Sequence, residues 1–149
     1  MSPQFDCGEL ILQSPISLPQ GINKNQAKIL LAHAAVELLK QALPILQDGQ
    51  SIEMAQDEGA ASYQAFPTQN DYRVSVQWTA RRMYNFMCAY GQPGIVFSCE
   101  VDGRVYSLLH AHSYQDDVDE EMQAKRYSIK GQQITLGCQQ GMVRCQLAE

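Results

Sequence analysis

The chain lacks the features that would place a protein in a membrane or on a secretory route. None of its 149 residues belongs to an uninterrupted apolar run near the roughly 18 to 20 residues that a membrane-spanning helix requires. The polar start, MSPQFDCGE, has neither the basic nor the apolar region of a signal peptide. We therefore expect a cytoplasmic protein without a membrane partner.

Paired cysteines are also missing. The five cysteines form an odd set without a Cys-x-x-Cys pair, which argues against a disulfide framework and against a structural zinc site. Each cysteine lies within an apolar pattern, and a free cysteine behaves as a small hydrophobic residue. We expect reduced thiols in the core, namely Cys7, Cys88, Cys99, Cys138 and Cys145.

No group of residues has the spacing of a metal site. His110 and His112 share one face of a predicted strand, but no carboxylate or thiol marks a third corner. The acidic run within residues 115–124 lacks the glycine and the terminal glutamate of a calcium loop. Its like charges repel one another, so we predict a solvated loop there and no bound metal.

Basic residues are not in excess in either half of the chain. Residues 1–71 carry three basic and eight acidic side chains, whereas residues 72–149 carry eight of each, so the net charge of −5 arises in the first half. A nucleic-acid interface needs clustered Lys and Arg to neutralise phosphates. The charge distribution therefore argues against a nucleic-acid binder.

The residues that are present are organised around a helix and a hairpin in residues 75–114. A period-two apolar run ends at Thr79, whose hydroxyl can cap the first turn of a helix. Gly91 follows that helix and predicts a residue with positive φ at its end. The predicted buried face of the helix consists of Ala80, Met83, Tyr84, Met87 and Cys88.

A β-hairpin follows the helix. The strand over residues 95–101 alternates apolar with polar side chains, and Asp102-Gly103 is a strong signal for a two-residue turn. The turn also fixes the register, which predicts that one face of the hairpin is core. The predicted facing pairs are Val101 with Arg104, Cys99 with Tyr106, Phe97 with Leu108, and Ile95 with His110.

The remaining chain supplies a long helix and three further strands. Helical spacing extends from a cap at Asn23 to about residue 46, where Pro44 predicts a kink or a separate turn and Asp48-Gly49 predicts the end. Residues 5–18 are predicted to be extended, and residues 49–71 to be a surface linker. Alternating residues at 127–130, 134–138 and 142–147 raise the total to at least five strands, enough for a small closed or partly open barrel.

Four segments, taken in order along the chain, resemble the carboxy-terminal part of formyltransferases that use 10-formyltetrahydrofolate. The first segment resembles the aspartate-glycine end of their catalytic domain, the second their linking helix, the third their Gln-Asp-Glu linker, and the fourth the start of their last domain. The segments are FDCGELILQSPISLPQG, AAVELLKQALPILQDG, QDEGAASYQAF and QWTARRMYNFMCAYGQPGIVFSCEVDG.

The resemblance implies a fold and a division of the chain. It implies an α+β protein in which a strand remnant and a linker helix precede a small open β-barrel of the oligonucleotide-binding kind, with one short helix. The implied divisions are residues 1–22 for the end of the catalytic domain, 23–71 for the linker helix and extended linker, and 72–149 for the barrel domain.

The resemblance also implies site residues. The family uses an asparagine, a histidine and an aspartate, of which only the aspartate has a counterpart here, at Asp6. The asparagine, the histidine and the folate-binding strands would lie upstream of Met1, so we expect a fragment or a natural truncation that binds no cofactor itself and has no activity alone. Arg81, Arg82 and Asn85 are the candidate substrate contacts.

Two departures from the family pattern bear on the substrate. Val76-Gln77-Trp78 replaces an Ile-Asp-Trp, and Met87-Cys88-Ala89 replaces an Ile-Arg-Ala, so an acidic and a basic family position are both uncharged here. We therefore expect weak or absent binding of transfer RNA, a small amine such as an amino sugar as substrate, and either a catalytic domain or self-association as partner. The alternative is a stand-alone, non-catalytic module that binds a small ligand or a protein.

Overall fold

The computed structural model of this chain describes residues 8–49, 54–117 and 125–148. Two helices and a six-stranded mixed sheet make it an α+β protein, as predicted. Contacts divide the chain into two compact units, one of Met1–Leu18 with Asn25–Ala65 and the other of Pro19–Lys24 with Phe66–Glu149. The predicted catalytic residue Asp6 lies outside the described residues.

The first unit is built on helix α1, Lys24–Gln47. The predicted boundaries are confirmed to within one residue, and Gly49 follows the helix with φ of 66°. The predicted separate turn at Pro44 is wrong, because the helix runs through this residue. Only about one turn follows the proline, and the Asp48 N–H still donates to the Pro44 carbonyl oxygen at 3.0 Å.

Helix α1 is long and apolar enough to cross a membrane when it is judged by length and composition alone. Its 24 residues include an 18-residue window of mean hydropathy 1.5, of which 6% is buried. The expectation that no segment reaches this length counted only uninterrupted apolar runs, and Glu37 and Lys40 interrupt this one. A core helix of a soluble protein has the same length and composition, so this feature does not identify the environment of α1.

Residues 8–18 form no strand, which corrects the predicted strand remnant for the part of it that the structure describes. A single antiparallel bridge joins Leu10 to Met54, with N to O distances of 2.8 and 3.0 Å. The Gln56 side chain adds one hydrogen bond to the Gly8 carbonyl oxygen. Three hydrogen bonds fix the position of this segment but do not extend into a ladder.

The second unit contains the short helix α2, Ala80–Tyr90. The predicted cap is confirmed, because the Thr79 hydroxyl oxygen accepts a hydrogen bond from the Arg82 N–H at 3.2 Å. The predicted positive φ at Gly91 is wrong, since its φ is −63°. A glycine fits there for another reason: an added Cβ would lie 2.6 Å from the Met87 carbonyl oxygen.

The sheet of the second unit has the strand order β1-β2-β3-β6-β5-β4 and is open, so of the two predicted forms, closed or partly open, the closed one is excluded. Strand β1 pairs with β2 in parallel, and every other neighbouring pair is antiparallel. A 3₁₀ turn at Gln69–Tyr72 leads into β1. The strands are β1 Arg73–Ser75, β2 Phe97–Val101, β3 Arg104–Gln115, β4 Tyr127–Lys130, β5 Gln133–Gly137 and β6 Met142–Leu147.

The β2–β3 hairpin follows the sequence prediction for most of its length. Asp102 and Gly103 have φ of 50° and 75°, which is the conformation of a two-residue type I′ turn. The three facing pairs next to the turn are confirmed. The fourth pair, Ile95 with His110, is wrong, because β2 begins at Phe97 and its pairing with β3 therefore ends at Leu108.

The core lies between α2 and one face of the sheet. Cys99 and Cys145 are buried there, which confirms the prediction of core thiols for these two residues. Burial raises the pKa of Cys99 to about 11 and that of Cys145 to about 12, so both thiols stay protonated at neutral pH. The fully buried apolar side chains include Met83, Met87, Phe97, Val101, Leu108, Ile134, Leu136 and Val143.

Candidate functional site

The three predicted substrate contacts, Arg81, Arg82 and Asn85, all lie on α2. The cap at Thr79 starts the helix immediately before them, and the buried side chains of Met83 and Met87 turn this helix face towards the sheet. Arg81 and Asn85 are one helical turn apart and therefore share a face, whereas Arg82 points elsewhere. The structure thus separates the three candidates into two environments.

Arg81 forms an ion pair with Asp116, just beyond the end of β3. Its Nη2 lies 2.6 Å from the Asp116 Oδ2, and both side chains are about half exposed. The hydrogen bond to this carboxylate raises the pKa of Arg81, and its attraction and the neighbouring Tyr114 add to that effect. Arg81 therefore joins α2 to the end of β3, and its charge is neutralised locally.

Arg82 lies over the indole of Trp78, the only tryptophan in the chain. The guanidinium carbon is 4.3 Å from the ring centroid, which is a cation–π contact. The same indole meets the Phe86 ring edge-on, with centroids 5.4 Å apart. A partly buried aromatic ring under a cation offers a surface on which a planar or charged ligand group can bind.

Asn85 joins helix α2 to the segment Pro19–Lys24 of the same unit. Its Oδ1 accepts a hydrogen bond from the Gly21 N–H at 2.7 Å. Gly21 has φ of 71°, and an added Cβ there would lie 2.7 Å from the Tyr84 ring. The close approach therefore requires glycine at this position.

Tyr114 completes the attachment of this segment. Its hydroxyl donates to the Gln20 side-chain oxygen, and its ring lies 5.0 Å from that of Tyr84 between centroids. We call this group the α2 clasp, defined as Gln20, Gly21, Tyr84, Asn85 and Tyr114. Of these residues the sequence pattern marked only Asn85 as a site residue, because contacts 64 and 94 residues apart leave no local pattern.

Asn85, through the clasp, and Arg81, through its ion pair with Asp116, are attachment points between elements of the second unit. We expect replacement of Asn85 by alanine to speed hydrogen exchange of the Gly21 amide about five- to tenfold, which corresponds to the roughly 1 kcal/mol of one hydrogen bond. Residue-resolved exchange by NMR measures this rate. The control is alanine at the exposed Asn70, which should leave the Gly21 rate unchanged; unchanged exchange in both variants would remove Asn85 from the clasp.

The remaining candidate groups are the acidic run and the two histidines of β3. Within residues 8–49, 54–117 and 125–148, no three His, Cys, Asp or Glu side chains are grouped so that they could hold a metal ion. In the acidic run, Asp116 is paired with Arg81 and Asp117 is exposed, and the other three acidic residues lie outside the described residues. His110 and His112 lie together on β3.

Comparison with known proteins adds a shared fold. No family model matches the chain. A similar solved structure is HypX. The structure is that of a variant of HypX from Aquifex aeolicus, a formyltransferase-family protein, and it superposes on 97% of this chain with a TM-score of 0.57 at 19% sequence identity. The chain spans 26% of the length of HypX. This likeness shows a common fold.

Proposed function

We propose that this chain is the linker helix and carboxy-terminal domain of a formyltransferase-like protein, and that it contributes substrate contacts or an oligomer surface rather than the chemistry. The reaction of the whole protein would move a formyl group from 10-formyltetrahydrofolate to an amine. The observation that carries the proposal is the superposition on HypX over nearly the whole chain. The family-like segments occur in a fixed order along the same stretch.

The chemistry of formyl transfer supports a non-catalytic role. The reaction needs a site for the donor, groups that polarise the formyl oxygen, and a base that takes a proton from the attacking amine, all held in one geometry. Of the family's catalytic set only Asp6 has a counterpart here, and a single carboxylate cannot supply all of these functions. Arg81 and Asn85 are bound to other parts of their own unit.

The exposed apolar surface of α1 supports a partner contact. Seven of its large apolar side chains are at least 38% exposed, and none of its residues is buried. Large apolar side chains exposed in this number along one helix are typical of a protein interaction site. In the proposed function, α1 provides the contact with the rest of the enzyme or with another subunit.

The substrate of the proposed enzyme is a small amine, such as a nucleotide-linked amino sugar. An interface that neutralises six to ten phosphates requires clustered basic residues. Residues 72–149 carry equal numbers of acidic and basic side chains, and Arg81 and Arg126 are each paired with an acid. Arg82 on Trp78 is the contact that we assign to the substrate.

Binding of substrate to this chain can be followed through Trp78 itself. We expect a nucleotide-linked amino sugar to change the tryptophan emission saturably, and calorimetry to show binding about five- to tenfold weaker after replacement of Arg82 by alanine, as for loss of roughly 1 kcal/mol. Alanine at the exposed Arg73 is the matched control and should change nothing. Submicromolar affinity for aminoacyl-tRNA at physiological salt, with a steep salt dependence, would contradict the assignment.

A further inference from the structure

The outer face of β3 brings two imidazole rings into contact. The rings of His110 and His112 meet edge-on, with centroids 4.5 Å apart and planes at 82°. In a regular strand, residues two apart rise by roughly 6.6 Å along the strand. The pairing of β3 with β6 shifts register on both sides of this pair, between Leu108 and His110 and between Ala111 and Ser113. Such irregularities re-aim side chains.

A side-chain oxygen on β6 lies beside these rings. Gln146 is the register partner of His110, and its Oε1 is 3.4 Å from the Nε2 of His112. The Gln146 amide nitrogen is 3.4 Å from the Gln132 side-chain oxygen, a contact that turns the Gln146 oxygen towards His112. Two imidazoles and one amide oxygen therefore converge on the same point of the sheet surface.

We propose that His110, His112 and Gln146 form an open binding site for a divalent first-row transition-metal ion, with Cu²⁺ bound more tightly than Ni²⁺ or Zn²⁺. Neutral imidazole is a preferred ligand of these three ions, and affinity rises to a maximum at copper along the series. Mixed nitrogen and oxygen ligands with water in the remaining positions suit the tetragonal geometry of Cu²⁺. A structural zinc ion would need four protein ligands, which these residues do not provide.

The distances are compatible with chelation after side-chain rotation. Two imidazole nitrogens bound side by side to one ion, each at about 2.0 Å, lie about 3 Å from each other. The rings already approach to 4.5 Å between centroids, and both side chains are exposed, so rotation about their side-chain bonds meets solvent rather than core. Binding would leave the buried side of β3 unchanged.

The test is titration of the chain with CuCl₂ by calorimetry, together with electron paramagnetic resonance of the copper complex. We expect one site per chain, weakened at least about tenfold by either His110→Gln or His112→Gln, because each removes one of two imidazoles. The control is His33→Gln on α1. Its neighbour one turn away, Glu37, is paired with Lys40 at 2.8 Å, and we expect this variant to bind copper like the wild type.

The resonance spectrum tests the same site without any substitution. We expect superhyperfine coupling to two imidazole nitrogens in the wild type and to one in either β3 variant. Coupling to one nitrogen or none in the wild type would overturn the proposal. So would equal losses of affinity in His33→Gln and the β3 variants, or unchanged affinity in all three.

Discussion

Replacement of Phe97 by alanine is expected to lower the free energy of unfolding by about 3 to 5 kcal/mol. Phe97 is fully buried at the start of β2 and faces Leu108 across the hairpin. Its ring meets those of Tyr72 and Phe86 at 6.0 and 6.1 Å between centroids, so the substitution removes these edge-on contacts and also leaves a cavity. A loss of this size is a large part of the stability of an ordinary domain.

The chain offers a matched control for this measurement. Phe66 belongs to the same unit but is 93% exposed, so the same Phe→Ala change there should alter the free energy of unfolding by no more than about 0.5 kcal/mol. Chemical denaturation of the two variants gives both values. Similar losses in both variants, or a loss below about 1 kcal/mol for Phe97→Ala, would contradict the placement of the core.

Replacement of Gly141 by alanine is expected to lower the free energy of unfolding of the second unit by about 2 to 5 kcal/mol. One part of this loss comes from placing alanine in a left-handed backbone conformation, and the other from steric overlap of its Cβ. Gly141 has φ of 80° at the turn between β5 and β6. An added Cβ would lie 2.1 Å from the Gln115 carbonyl oxygen and 3.1 Å from the Ala80 side chain. Backbone must therefore move at the end of β3, beside the Arg81–Asp116 pair.

Gly103 separates the two causes of this loss. It has nearly the same φ, 75°, but no atom within 4 Å of an added Cβ. Gly103→Ala should therefore cost only the backbone part, about 1 to 2 kcal/mol. Thermal or denaturant unfolding of both variants checks the difference. Equal losses would show that the close approach between Gly141 and β3 is absent in solution.

Local patterns predicted the elements whose causes are local. The Asp102-Gly103 turn set the register of β2 on β3 near the turn, Thr79 marked the start of α2, and period-two runs marked the strands β4 to β6. Each of these signals lies within a few residues of its effect. The order of the six strands follows from packing between segments far apart in the chain, which no single segment encodes.

The predictions that were wrong or incomplete also have physical causes. The predicted pair of Ile95 with His110 is wrong because β2 begins only at Phe97, and the alternation of residues 95–101 does not mark that boundary. The α2 clasp joins Gln20 and Gly21 to residues far along the chain, so of its members only Asn85 was predicted as a site residue, and with a different role.

Formyl transfer by the chain itself is the measurement that tests the proposed division of labour most directly. Purified chain is incubated with 10-formyltetrahydrofolate and a panel of nucleotide-linked amino sugars and aminoacyl-tRNA, with a complete formyltransferase as positive control and Asp6→Asn as the paired variant. The account predicts no turnover above background for either form of the chain, because one carboxylate cannot position the donor, polarise the formyl group and accept the proton of the amine. Turnover by the wild type that disappears in Asp6→Asn would contradict it.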